Sequence, residues 1–240
     1  MTARLSMLFN SRWSKCHFRT AVVEPPPPPP DPIPDPTVFT SNFDIDENPL
    51  SEGGAWGRNQ SNAWTNVRKV GGVAVGTQAR DTFDDSYAIK TGDWGANYEI
   101  EATIFRHPNL TQTTSAEVEL NFRAVDGPTS CRMYEVLLNR QGQLECFRWG
   151  GPFDSFTRIV HSGAGEIGRA TQTGDKYRGR IVGDLITIWV NDIQIATFNI
   201  ASIPGIKFVD GNPAIAFFGR PLAGYNPDHY GYTDVKVTKL

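Results

Sequence analysis

AEVELNFRAV (Ala116–Val125) sets Val118, Leu120 and Phe122 against Glu117, Glu119, Asn121 and Arg123 without a break. Successive side chains of an extended chain point to opposite faces, so a period of two with one apolar side predicts a half-buried strand. Upstream, NYEIEATIF (Asn97–Phe105) alternates Tyr98, Ile100, Ala102 and Ile104 against Glu99, Glu101 and Thr103. Downstream, KYRGRIVGDLITIWVNDIQIATFNI (Lys176–Ile200) reads as three strands broken by hairpin turns at Gly183–Asp184 and Asn191–Asp192. AIAFFG (Ala214–Gly219) and YTDVKVTKL (Tyr232–Leu240) close the chain as strands. No stretch sustains a helical period, so the expectation is an all-β sandwich of two packed antiparallel sheets.

A further hairpin, CRMYEVLLNRQGQLECFRW (Cys131–Trp149), takes its register from its turn. With Gln141–Gly142 as a two-residue turn, Tyr134 faces Trp149, Val136 faces Phe147 and Glu135 faces Arg148. The opposed charges then lie on the solvent side, and Tyr134, Val136, Phe147 and Trp149 face the core. The competing reading turns Tyr134 and Trp149 outward as a sugar-stacking platform. A longer turn would shift the register and overturn the assignment. On the two-residue reading Cys131 and Cys146 do not oppose each other. With Cys16 they make an odd total, so reduced thiols are expected.

EPPPPPPDPIPDP (Glu24–Pro36) cannot belong to a packed domain, because proline fixes φ and removes backbone donors. It predicts a rigid polyproline II linker about 40 Å long. The linker divides the chain into an arm (1–23), the rod (24–36) and a β domain (37–240). The arm carries Arg4, Arg12, Lys15 and Arg19 with no acid, and the apolar Phe9, Trp13 and Phe18. It is too short to bury those rings alone, so it either stays unfolded or docks on a partner. The docking reading takes Arg4, Phe9, Arg12, Trp13, Phe18 and Arg19 as the anchoring residues. The remainder is mildly acidic, the whole chain has net charge −3, and no Lys/Arg cluster stands out, which disfavours nucleic acid. No apolar run is long enough to span a membrane, and the N-terminal apolar stretch is too brief for a secretory signal. Production in a host cytoplasm is the expectation.

Four segments together resemble the concanavalin A-like (laminin-G-like) jelly rolls. VFTSNFDIDENPLSEGGAWGRNQSNAWTNVRKVGGVAV (Val38–Val75) resembles their opening strand, acidic turn and Trp-ending loop. RMYEVLLNRQGQLECFRW (Arg132–Trp149) and GDKYRGRIVGDLITIWVNDIQIATF (Gly174–Phe198) resemble their central and late hairpins. FFGRPLAGYNPDHYGYTDVKVTKL (Phe217–Leu240) resembles the closing strand, which in that class returns beside the first. The resemblance implies the jelly-roll fold but leaves function open, because lectins, glycosidases, lyases and virion proteins share it.

The enzymatic branches are tested by motif. Glu99 with Glu101, and Glu117 with Glu119, have the i, i+2 spacing that aims two carboxylates at one face, as a nucleophile and acid/base pair require. Neither run completes the glucanases' E-x-D-x-x-E pattern, so a solvated strand face with Asn121 and Arg123 as neighbours is the expectation. No histidine stands in a lyase context. No organic cofactor is implied. A structural calcium bound by Asp44, Asp46 and Asp234 is the one inorganic candidate, since neighbouring first and last strands would bring these acids together; turn formation alone also explains them. The loop GRPLAGYNPDHYGY (Gly219–Tyr232) either grips a ligand or plugs one end of the sandwich. With Trp149 it supplies the candidate glycan contacts Tyr225, His229 and Tyr230.

Arm, rod and sandwich read as anchor, spacer and display head. The arrangement resembles bacteriophage virion accessory proteins such as decoration proteins, head fibres and tail fibres. It implies a non-enzymatic protein attached through residues 1–23 to a capsid or tail, displayed on the virion surface and able to touch surface polysaccharide. The alternatives are a carbohydrate-active enzyme and a free lectin-like protein of the same fold.

Overall fold

The computed structural model describes residues 37–78, 85–110, 116–152, 155–220 and 226–240. The arm, the proline rod and Tyr225 lie outside the described residues, and with them the six anchoring residues and Cys16. In chain order the strands are β1 (Val38–Ser41), β2 (Trp56–Gly57), β3 (Thr65–Val70), β4 (Val73–Gly76), β5 (Ser86–Lys90), β6 (Tyr98–Arg106), β7 (Ala116–Asp126) and β8 (Ser130–Asn139). They continue as β9 (Leu144–Pro152), β10 (Phe156–Ile159), β11 (His161–Gly163), β12 (Lys176–Val182), β13 (Leu185–Val190), β14 (Ile193–Asn199), β15 (Asn212–Gly219) and β16 (Tyr230–Lys239). Single 3-10 turns at Ile200–Ser202 and Pro227–His229 are the only helical pieces among the described residues.

One sheet runs β10-β9-β8-β7-β15-β5, and the other runs β4-β16-β6-β12-β13-β14-β11. β3 links them, antiparallel to β4 and parallel to β5. The opening and closing strands pair, Val38 with Thr238 through Ser41 with Val235. Between the sheets lies the main core, to which alternate residues of each strand contribute. β7 gives Val118, Leu120 and Phe122, β6 gives Tyr98, Ile100, Ala102 and Ile104, and β12 and β13 give Tyr177, Ile181, Ile186 and Ile188. Both predicted turns of the late run are present. Asn191 and Asp192 take positive φ (51° and 65°), the conformation a two-residue hairpin turn demands.

The central hairpin departs from its expected register. Its loop is one residue longer, Arg140–Gly142, closed by Asn139 N–H donating to the Gln143 carbonyl (3.0 Å) and Gly142 N–H donating to the Asn139 carbonyl (2.9 Å). The Asn139 side chain accepts from the N–H groups of Gln141 and Gln143, and Gly142 takes φ 93°, which its missing Cβ permits. Met133 therefore faces Trp149, Tyr134 faces Arg148, and Glu135 faces Phe147. A one-residue slip exchanges faces. Tyr134 and Val136 do enter the core, but Phe147 and Trp149 stand on the outer face of the sheet. Cys146 lies in the core and Cys131 on the outer face, both as free thiols.

The polar side of β7 is also not solvated as the alternation predicts. Glu119 and Asn121 are wholly out of water. Arg123 sits at a bulge with φ 53° and turns its guanidinium to the carbonyls of Ala96, Phe208 and Gly183. A second apolar cluster explains the covering. Trp64, Tyr87, Ile89, Cys131, Met133 and Trp149 pack on the outer face around Ala214 and Ala216.

Where β16 crosses β4, a Cβ at Gly231 would stand 2.2 Å from the Ala74 carbonyl oxygen. Gly231→Ala is therefore expected to cost about 2–4 kcal/mol, because backbone on both sides must shift. Chemical denaturation of the two proteins measures it.

Candidate functional site

β7, β8, β9, β15 and β5 together build the outer face. The i, i+2 rule places Glu117, Glu119 and Asn121 on one side of β7. The registers set Glu119 between Leu137 of β8 and Ala216 of β15, and Asn121 between Glu135 and Ala214. The two alanines leave space above their strand, and larger groups surround it. The cavity measures about 120 Å³ and is lined by Asp85, Glu117, Glu135, Leu137, Glu145, Phe147, Trp149, Phe156 and Phe218.

An aromatic stripe borders this cavity. Phe156 stands 5.0 Å from Trp149, Trp149 stands 4.6 Å edge-on to Trp64, and Trp64 stands 5.6 Å edge-on to Tyr87. Phe147 meets Phe156 at 5.3 Å. Trp149 is almost fully covered and its indole N–H donates to Glu135 Oε2 at 2.5 Å, whereas Phe156 keeps 42% of its surface in water. The ring that reaches solvent is thus Phe156, with Trp149 packed beneath it.

Beneath the rings, one carboxylate oxygen from each of Asp85, Glu119 and Glu135 lies within 4.8 Å of the others. Among the described residues no other three metal-ligating side chains gather so closely. Burial opposes charge, and neighbouring carboxylates add to it. Burial, then Glu135 and Glu145, push Glu117 up to about 8. Burial pushes Glu135 up to about 7, against the Trp149 hydrogen bond and with the help of Glu145. Glu119 is raised well above the carboxylate range by burial and by Glu135, Asp85 and Glu117.

The other sequence candidates are placed elsewhere. Glu99 and Glu101 lie on the second sheet, where Glu99 pairs with Arg180 (2.7 Å) and Arg178 (3.4 Å) and Glu101 with Arg178 (3.8 Å). The two carboxylate pairs thus never share a surface. Asp44 accepts from the Asn42 side chain, Asp46 from the Gly71 N–H, and Asp234 from Thr103. Their oxygens do not converge as those of Asp85, Glu119 and Glu135 do. The Tyr230 hydroxyl is buried against Thr171 (3.0 Å), and His229 stacks on His107 at 4.2 Å. Sequence reading missed Asp85, Glu135, Glu145 and Phe156. The available signal was the i, i+2 pair Glu117/Glu119 read against a hairpin in the correct register, which puts Glu135 and Phe147 beside it.

No family model matches the sequence, and no curated protein matches it. The fold does have solved counterparts. The chain is similar to the β-porphyranase BpGH16B from the human gut bacterium Bacteroides plebeius, with TM-score 0.51 and 12% identity over 88% of this chain and 94% of that one. It is equally similar (TM-score 0.51, 13% identity, 84% of this chain and 98% of the other) to a protein from work on endo-acting O-glycanases with which human gut bacteria initiate mucin breakdown. At this identity the likeness carries the fold alone: an all-β, concanavalin A-like jelly roll.

The raised carboxyls fix a pH dependence. The unfolded chain releases these protons near pH 4.5, while the native protein holds them towards pH 7–8. The native state binds more protons across that window, so stability is full below about pH 4.5 and falls as pH rises. His229, whose pKa burial lowers, acts in the opposite sense around its ordinary 6.5. Calorimetry in chelator is expected to show a lower Tm at pH 8 than at pH 5, with a shallower fall in Glu117→Gln.

Proposed function

We propose that the protein binds glycans on the outer face of the β7 sheet, with one sugar unit at the cavity beside Phe156. The observation that carries this reading is an exposed aromatic edge directly against a carboxylate-lined hollow. Ring faces and edges take up the apolar side of a sugar, and half-buried carboxylates such as Glu117 and Glu145 accept its hydroxyl hydrogens. The concanavalin A-like fold agrees with a carbohydrate ligand, since glycoside hydrolases share it.

Display on a larger assembly extends the reading. The basic, aromatic arm at 1–23 would dock on a capsid or tail, the rod at 24–36 would hold the sandwich clear, and the virion surface would be its place. Sequence composition is the support for that part. Sedimentation of the full chain with phage particles, against a protein lacking residues 1–36, tests it.

A catalytic reading has one observation in its favour: Glu117 and Glu135 hold their protons near neutral pH in one cavity, as a general acid must. Against it, Glu135 is almost wholly covered, and an attacking or protonating group must come within about 3 Å of the reacting atom.

Calorimetric titration against a panel of soluble polysaccharides tests binding. One member of the panel is expected to bind the full chain, with Phe156→Ala weakening it about tenfold, since an aromatic contact is worth roughly 0.5–1.5 kcal/mol beyond the area it buries. Reducing-end release from the same panel is expected to stay at background. Release that disappears in Glu135→Gln would transfer the site to the hydrolases.

A further inference from the structure

We propose that Asp85, Glu119 and Glu135, with Asn121, form a binding site for a hard divalent cation of the calcium class in the floor of this cavity. The site goes beyond the glycan reading and does not depend on it. Three observations meet here.

The first is spacing. One oxygen from each carboxylate lies within 4.8 Å of the others, and opposite oxygens of a calcium sphere stand about 4.6–5.2 Å apart. The three groups therefore fit one ion without rebuilding the sheet. They come from three separate elements: the residue before β5, the middle of β7 and the middle of β8. Magnesium demands near-ideal octahedral geometry and keeps several waters, whereas calcium accepts an irregular, all-protein set of carboxylates.

The second observation is unmet hydrogen bonding. Both oxygens of Glu119 are sealed from water, and neither has a hydrogen-bond partner among the described residues. Buried polar atoms are nearly always satisfied, and an exception calls for a missing ligand or ion. The groups that crowd Glu119 are other carboxylates, with an oxygen of Asp85 and one of Glu135 each within 4.8 Å of one of its own. Acids gathered in a dry place must keep their protons or share an ion, and an ion at their centre turns their mutual repulsion into coordination.

The third is Asn121. It is wholly buried, lies beside Glu119 on the same face and is the cross-strand partner of Glu135. Its Oδ1 has no hydrogen-bond partner among the described residues, while its Nδ2 donates to Met133 Sδ at 3.3 Å. With the nitrogen held by sulfur, the carbonyl oxygen is left as a fourth hard donor. Outside this shell, the Trp149 indole N–H fixes one oxygen of Glu135, the orienting contact that metal-bound carboxylates commonly have.

Trp149 also supplies the readout, because an excited indole this close passes energy to terbium(III), a luminescent stand-in for calcium. The full chain, stripped with chelator and titrated with terbium, is expected to give tryptophan-sensitised emission that calcium displaces. Glu119→Gln and Asp85→Asn, each checked for cooperative melting, are expected to weaken terbium binding at least tenfold. Saturating calcium is expected to raise the wild-type Tm by roughly 5–10 °C. Absence of sensitised emission in wild type overturns the proposal, as does equal terbium affinity in a folded variant. Should neither variant fold, the wild-type melting shift decides, and its absence overturns the site. Because no sugar is present, failure here leaves the glycan titration standing, and the reverse holds equally.

Discussion

The middle of strand β7, Val118–Arg123, is closed to water on both sides, and most of what distinguishes this molecule follows from that constraint. Its inward side chains, Val118, Leu120 and Phe122, seat the sandwich. Its outward side chains meet a second apolar layer instead of solvent. An ordinary antiparallel sheet with one wet face would let Glu119 and Asn121 hydrate, and they would carry no chemical meaning. Here the layer of Trp64, Tyr87, Met133 and Trp149 removes that option. The acids must therefore be protonated, bound to one another through protons, or held by a ligand.

The same layer gives the cavity its division of labour. Phe156 and Phe147 form an upper, partly wet rim, and Glu117 and Glu145 line the wall with some access to water. Asp85, Glu119 and Glu135 lie deeper and dry. On the proposed reading, the mixed apolar and hydrogen-bonding rim meets the sugar and the oxygen-only floor meets the ion. Trp149 joins the two levels, its ring against Phe156 and its N–H on Glu135.

Much of the fold was legible because periodicity is a local property. The alternation in β6, β7 and β12–β14 names each strand and its inward side chains, and the Asn191–Asp192 turn announces its hairpin. The site was less legible, and one residue explains much of the difference. Asn139 caps the turn with its side chain and adds a third residue to the loop, which turns Glu135, Phe147 and Trp149 to the face that Glu117 and Glu119 already occupy. Composition favours neither loop length. Nor does alternation reveal whether the polar face of a strand is roofed, since the roof comes from Trp64, far away in sequence. DTFDD reads as an acidic loop, but nothing local singles out Asp85 among its three acids.

The pairing of β1 with β16 has a consequence for how the molecule is made. Val38 finds its cross-strand neighbour in Thr238, two hundred positions later. At about 5–20 residues per second on the ribosome, the first strand waits roughly 10–40 s for its neighbour to be synthesised. During that interval β6 also lacks β16 on one edge and β7 lacks β15, so the growing chain carries open strand edges until β15 and β16 emerge. The sandwich is in this sense assembled late: neither sheet is complete before β15 and β16 have been made.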